Sequence, residues 1–190
     1  MRTLLIRVIA IGALPLVVFF AAAGVMTKAS NLRHVDQVVA ARAAAADRRP
    51  LHFRLGYSTD EVSRYWAALA SDDTALRAEQ RFLHLDLMFP LVYGTGLMAG
   101  LVMAWRLLGR PFNSMWLAAP VVITVLADWI ENLVQIAQLV RYVEGGPSAL
   151  QDDWIRLASG ATIAKLSGFA AASLCLVVLL VMTIRAVRQE

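Results

Sequence analysis

Ala127-Asp128-Trp129-Ile130-Glu131-Asn132-Leu133-Val134-Gln135-Ile136-Ala137-Gln138 lies in the second half of an apolar run from Met115 to Val140. The run is long enough to cross a bilayer as a helix. At 100° per residue, Thr124, Asp128, Glu131, Asn132, Gln135 and Gln138 fall on one side of it. Carboxyl and amide groups are costly at membrane depth, so the stripe must face protein or a water-filled cavity.

Three further apolar runs, Val8–Met26, Leu85–Leu108 and Ala161–Ile184, meet the same length requirement. Of the 190 residues 59% are hydrophobic and 17% charged, where a water-soluble domain carries about a quarter charged. The expected fold is an all-α integral membrane protein, a four-helix transmembrane bundle. Residues 1–26 hold the first helix, read as a retained signal anchor in preference to a secretory signal cleaved at Ala21-Ala22-Ala23, and 27–84 a small helical cap. Residues 85–190 form a three-helix membrane region, with spans at 85–108, 115–140 and 161–184.

The net charge of +4 is a topology signal. Arg2 and Arg7 precede the first span, Arg106 and Arg110 separate the second and third, and Arg185 and Arg188 follow the fourth. The segments facing the other way mix acids with bases. The positive-inside rule puts both termini in the cytoplasm and 27–84 outside, in a bacterial-type inner membrane. Nucleic acid is not needed to explain the basic balance. Cys175 is the single cysteine, and His34, His52 and His84 show no ligand spacing, so neither a metal site nor any other cofactor is expected.

Along the outer segment, Val35, Val38, Val39 and Ala40–Ala46 predict an amphipathic helix ended by Arg48-Arg49-Pro50. Leu51, Phe53 and Leu55 alternate with His52 and Arg54, predicting a short extended piece before a turn at Gly56. Ser58-Thr59-Asp60-Glu61 is a capping box, and Ser71-Asp72-Asp73 caps a helix that runs on into the second span. Pro90 predicts a kink there. Gly96 and Gly100, and the ridge Gly160, Ala164, Gly168 and Ala172, permit close helix contact. Gly109-Arg110-Pro111 makes a tight turn, Gly145-Gly146-Pro147 another, and Ser148–Gln151 caps a short surface helix.

Lys165 is the one cation within the last three spans that can meet the stripe. Helix directions set Asp86, Tyr93, Glu131, Gln135 and Lys165 at one level in the outer half of the bundle. The sequence therefore predicts an outward-facing pocket of Asp128, Glu131, Asn132, Gln135, Lys165, Tyr93 and Asp86, roofed by the cap. Asp86 also reads as a helix-start acid, and Tyr93 as an interface tyrosine. Two carboxylates against one lysine leave a surplus negative charge, and Asp128 is expected to carry it by staying protonated.

Such a pocket suits a small polar or cationic ligand, a lipid headgroup or a proton, bound by the chain alone or within a larger membrane complex. The expected partners are thus membrane lipids and a membrane protein. An alternative is a metal-independent lipid-modifying enzyme with Asp128 or Glu131 as acid–base. Another is an assembly subunit held in register by a Glu131–Lys165 pair. No serine has a histidine on a spanning helix to activate it, which counts against nucleophilic catalysis.

Overall fold

A computed structural model of the chain describes residues 2–43, 49–51, 54–109 and 115–189. The expected helix at Ala44–Ala46, Arg48, the His52–Phe53 pair, the Arg110–Pro111 turn, Ser114 and Glu190 lie outside the described residues. So do the side chains of Arg2, Arg7 and Arg188.

Among the described residues there are seven α-helices and no strand: α1 Arg2–Ser30, α2 Leu32–Arg42, α3 Thr59–Ala70, α4 Asp73–Asp86, α5 Phe89–Leu107, α6 Met115–Gly145 and α7 Asp152–Gln189. Four stretches are long and apolar enough to span a membrane: Ala10–Ser30, Asp73–Leu107, Trp116–Gly145 and Asp152–Ala186. By length and composition the chain is a multi-pass helical membrane protein.

The helices pack as two bodies of core. One apolar cluster sits among α1, α5, α6 and α7 and includes Ile11, Tyr93, Leu97, Leu101, Val121, Ala172 and Leu176. The other joins α2, α3 and α4 to the far ends of α6 and α7, with Trp66, Tyr65, Leu69 and Leu83 packed on Val134, Tyr142 and Ile155. The short helices thus form a lobe over the end of the bundle where α6 turns into α7.

Local chemistry explains the lobe's helices. At α3 the Ser58 hydroxyl accepts from the Glu61 amide and the Glu61 carboxylate accepts from the Ser58 amide, the expected capping box. Asp72 accepts from the amides of Thr74 and Ala75 and opens α4. A left-handed Asn31, with φ 61°, separates α1 from α2. Helix α2 buries Leu32, Val35, Val38 and Val39, as its periodicity predicts.

Two local expectations need correcting, and a third is refined. The Arg54 amide is bonded to the Leu51 carbonyl at 3.0 Å, as an extended strand would not allow, and Leu51 is buried while Leu55 is exposed, so the two do not share one face. Ser148 starts no surface helix. Pro147–Ala149 is a single 3-10 turn, and α7 begins at Asp152, nine residues before the apolar run. The Gln138 side chain accepts the Gln151 amide at 2.9 Å and so caps that start from α6. The helix opened by Asp72 does run on into the second span, as one Asp73–Leu107 stretch, but its ladder is interrupted at Leu87 and Met88, which keep right-handed helical backbone. Thus α4 ends at Asp86, and α5 restarts at Phe89 with Pro90 in its first turn.

Pro90 accounts for this break. It has no amide proton to give the Asp86 carbonyl four residues earlier. That carbonyl instead accepts from Asn132 Nδ2 at 3.3 Å. The next carbonyl, Leu87, accepts from Trp129 Nε1 at 2.9 Å. Two side chains of α6 thus repair the gap, which buried backbone requires.

The small residues set the close approaches. A Cβ on Gly96 or Gly100 would meet Pro15 of α1, at 3.6 and 3.1 Å. One on Gly168 would lie 2.5 Å from Thr124 Oγ1 and 2.9 Å from the Pro120 carbonyl. Gly168 is where α7 touches α6. Gly160 has nothing within 4 Å, so the ridge is used over part of its length only.

Candidate functional site

Between the two apolar clusters lies a layer of polar side chains. Helix α6 supplies Asp128, Glu131, Asn132 and Gln135, spaced so that each reaches the next turn of the same face. Gln135 Nε2 donates to Glu131 Oε1 at 3.0 Å, and Asn132 Nδ2 donates to Asp128 Oδ1 at 3.2 Å. Helix α7 supplies Lys165, whose Nζ lies 3.1 Å from Asp128 Oδ1 and 2.5 Å from Glu131 Oε2. Helix α5 supplies Tyr93, which donates to Asp128 Oδ2 at 2.8 Å. Asp86, at the end of α4, interacts electrostatically with Asp128, Lys165 and Glu131.

All seven expected residues are therefore brought together. Six are nearly sealed from solvent, from 0% exposure at Glu131 and Asn132 to 5% at Asp86. The Lys165 side chain is 12% exposed. They form a packed cluster, and the surface grooves along α5–α6, α1–α4 and α1–α5 are lined by other residues.

The charge accounting differs from the expectation in one respect. Asp128 is not left without a cation: Lys165 touches both α6 carboxylates, and Tyr93 and Asn132 complete a set of three donors on Asp128. The carboxyl without a cation contact among the described residues is Asp86. Tyr93 is buried beside Phe19, Phe89 and Phe169, a core position where its hydroxyl needs a partner. Asp86 ends a helix; it does not start one.

Four contributors escaped sequence reasoning. Tyr57 descends from the loop before α3, and its hydroxyl accepts from Gln135 Nε2 at 2.9 Å. Burial, with the Glu131 charge, pushes its phenol above the ordinary value, so it stays a neutral hydrogen-bonding group. Ser159 of α7 holds that loop by accepting the Tyr57 amide at 2.8 Å. Thr162, fully buried, lies beside both Tyr57 and Glu131, its hydroxyl donating to the Ala158 carbonyl at 3.1 Å. Trp129 caps the Leu87 carbonyl. For Thr162 a signal existed: it stands three residues before Lys165, on the same helix face.

Acceptors outnumber donors in this layer. Asn132 Oδ1 and Gln135 Oε1 are buried without a donor among the described residues. Their amide nitrogens are both committed to acceptors, which fixes the orientation of each group. No group of three or more metal-ligating side chains forms among the described residues. Searches among protein families, curated proteins and solved structures find no match to this chain.

Proposed function

We propose that the chain is a four-span inner-membrane protein with cytoplasmic termini and the α2–α4 lobe as an extracytoplasmic cap. Its buried cluster binds a proton or a small cation. The observation that carries this reading is the imbalance of the layer: among the described residues three buried carboxyl groups face one ammonium, and two amide oxygens have no donor. Uncompensated negative charge in low dielectric is costly, and a positively charged hydrogen-bond donor relieves both deficits at once. Intramembrane ionisable groups of this kind commonly mark proton or ion pathways. Asp86 is the site's exchangeable carboxyl, since among the described residues it makes no ion-pair contact with Lys165 and lacks the three donors that hold Asp128.

The test is infrared difference spectroscopy of the full chain in lipid as pH is stepped, with Asp86→Asn as the variant. A carboxyl band that titrates in the wild type and vanishes in Asp86→Asn, with the melting temperature unchanged, is the expected result. A wild-type spectrum without any titrating carboxyl overturns the reading.

A second reading, helix glue for an assembly subunit, draws on Asn132 and Trp129 capping the α4–α5 break. It expects Asp86→Asn to leave both spectrum and fold unmoved. For the topology, a cysteine placed at Leu55, 82% exposed, should be labelled from the outside of sealed cells by a membrane-impermeant reagent. Labelling only after lysis would reverse the orientation.

A further inference from the structure

Two shallow grooves meet where α1, α4 and α5 come together, away from the buried cluster. One is apolar and lined by Val18, Ala22 and Met26 of α1 with Met88, Phe89 and Val92 around the start of α5. The other is lined by Arg77, Gln80, Arg81 and His84 of α4. Ala29 and Leu85 line both, so the two are continuous. From Val18 to Ala29 the groove follows α1 for about 16 Å, roughly half the hydrocarbon thickness of a bilayer.

The basic end sits where the membrane should stop. The apolar runs Val8–Met26 and Leu85–Leu108 end and begin at the junction of the two grooves. Arg77, Arg81 and His84 follow at i, i+4 and i+7, one stripe of α4 beyond the last apolar turn. Neither arginine has a carboxylate partner among the described residues. Arg77 Nε donates to its own helix at the Asp73 carbonyl, at 3.1 Å. His84 Nδ1 donates to the Gln80 carbonyl at 2.7 Å, leaving Nε2 for another group.

The groove between α5 and α6 supplies the contrast. Pro90, Gly94, Met98, Val121, Val125 and Leu126 line it, and it has no cationic end. Bulk hydrocarbon of any lipid can cover it. The α1–α4–α5 groove combines an acyl-sized apolar channel with two guanidinium groups at its mouth that have no carboxylate partner among the described residues.

We propose that this joint groove holds one anionic phospholipid. Its phosphate rests on Arg77, Arg81 and His84, and one acyl chain lies along Val18–Met26 and Met88–Val92. Guanidinium groups suit phosphate oxygens through paired N–H donors. This site is independent of the buried cluster and of what that cluster binds.

The experiment compares phosphatidylglycerol with phosphatidylcholine of equal chain length, binding to the full chain in neutral detergent and read by native mass spectrometry. At about fivefold for each of the two interfacial arginines, phosphatidylglycerol should bind roughly twenty-fivefold tighter. The ratio should fall as salt is raised. In Arg77→Gln/Arg81→Gln it should drop to near one, while Ala22→Trp should weaken both lipids alike by filling the channel. Equal binding of the two lipids by the wild type overturns the proposal. So does a preference that survives the double substitution, or competition by inorganic phosphate at the concentration of the lipid. If the double variant does not fold, the salt series on the wild type decides: a salt-independent ratio overturns the site.

Discussion

Glu131 and Glu79 are both glutamates at the centre of a helix, with 0% and 1% exposure, yet their surroundings are opposite in sign. Glu131 lies against Lys165 at 2.5 Å and accepts from Gln135. Glu79, in α4, accepts from the Tyr65 hydroxyl at 3.2 Å. The charges that act on it are carboxylates, Asp36 and Asp86. The difference follows from what each must join. Glu131 lies where α6, α7 and the Tyr57 loop converge, and a lysine there fixes the register of separate spans. Glu79 joins only α3 to α4 within the lobe, where a capping box and an aromatic core already set the geometry.

The sharpest way to break the contrast is Lys165→Met. It strands two carboxylates in the bundle and should cost about 3–5 kcal/mol, measured as a drop in denaturation midpoint in detergent. Adding Asp128→Asn and Glu131→Gln to that variant should recover most of the loss. A single Lys165→Met protein as stable as the wild type would mean that the cluster holds no net charge in need of a cation.

Smaller effects come from the two tyrosines. Tyr65→Phe removes the sole donor to Glu79 among the described residues and should cost about 1–3 kcal/mol. Tyr93→Phe removes one of three donors to Asp128 and should cost about 0.5–1.5 kcal/mol. Equal losses in thermal denaturation would erase the distinction drawn between the two sites.

The smallest effect lies at the lobe surface. The Ala75 and Thr74 amides, with the His34 imidazole nitrogen Nε2 at 3.1 Å, hold the Asp72 carboxyl below its ordinary value of 3.8. A depressed carboxyl stabilises the fold at pH values above that ordinary value and loses its contribution as pH falls through the folded value. Amide exchange at Thr74 and Ala75 should therefore accelerate below about pH 3.8 relative to the α3 cap. Unchanged protection there would show that the cap works equally well protonated.

How much of this was legible in the sequence depended on range. Four apolar stretches, the Ser58–Glu61 box and the one-sided stripe of α6 are local patterns, and local periodicity reports them directly. The meeting of Asp128, Glu131 and Lys165 was legible because helix direction fixes depth. Tyr57 and its partner Ser159 were not, because a loop 78 residues before Gln135 reaches the site only through tertiary packing. The early start of α7 was hidden for a related reason. Its cap, Gln138, comes from the preceding helix and leaves no mark near Asp152. Asp128 was given the surplus charge because sequence spacing cannot show that one ammonium spans two carboxylates a turn apart.

The break at Pro90 also bears on how the chain enters a bilayer. Between α4 and α5 the carbonyls of Asp86 and Leu87 take their protons from Asn132 and Trp129, both on the following long helix. Until that helix arrives, two peptide oxygens near the lipid boundary have no protein donor, at a cost of several kcal/mol each in hydrocarbon. The second and third long helices are thus committed as a hairpin during biogenesis. A nascent chain stopped after Leu108 should stay loosely seated in the membrane and open to protease, until synthesis of Trp129 and Asn132 locks it in place.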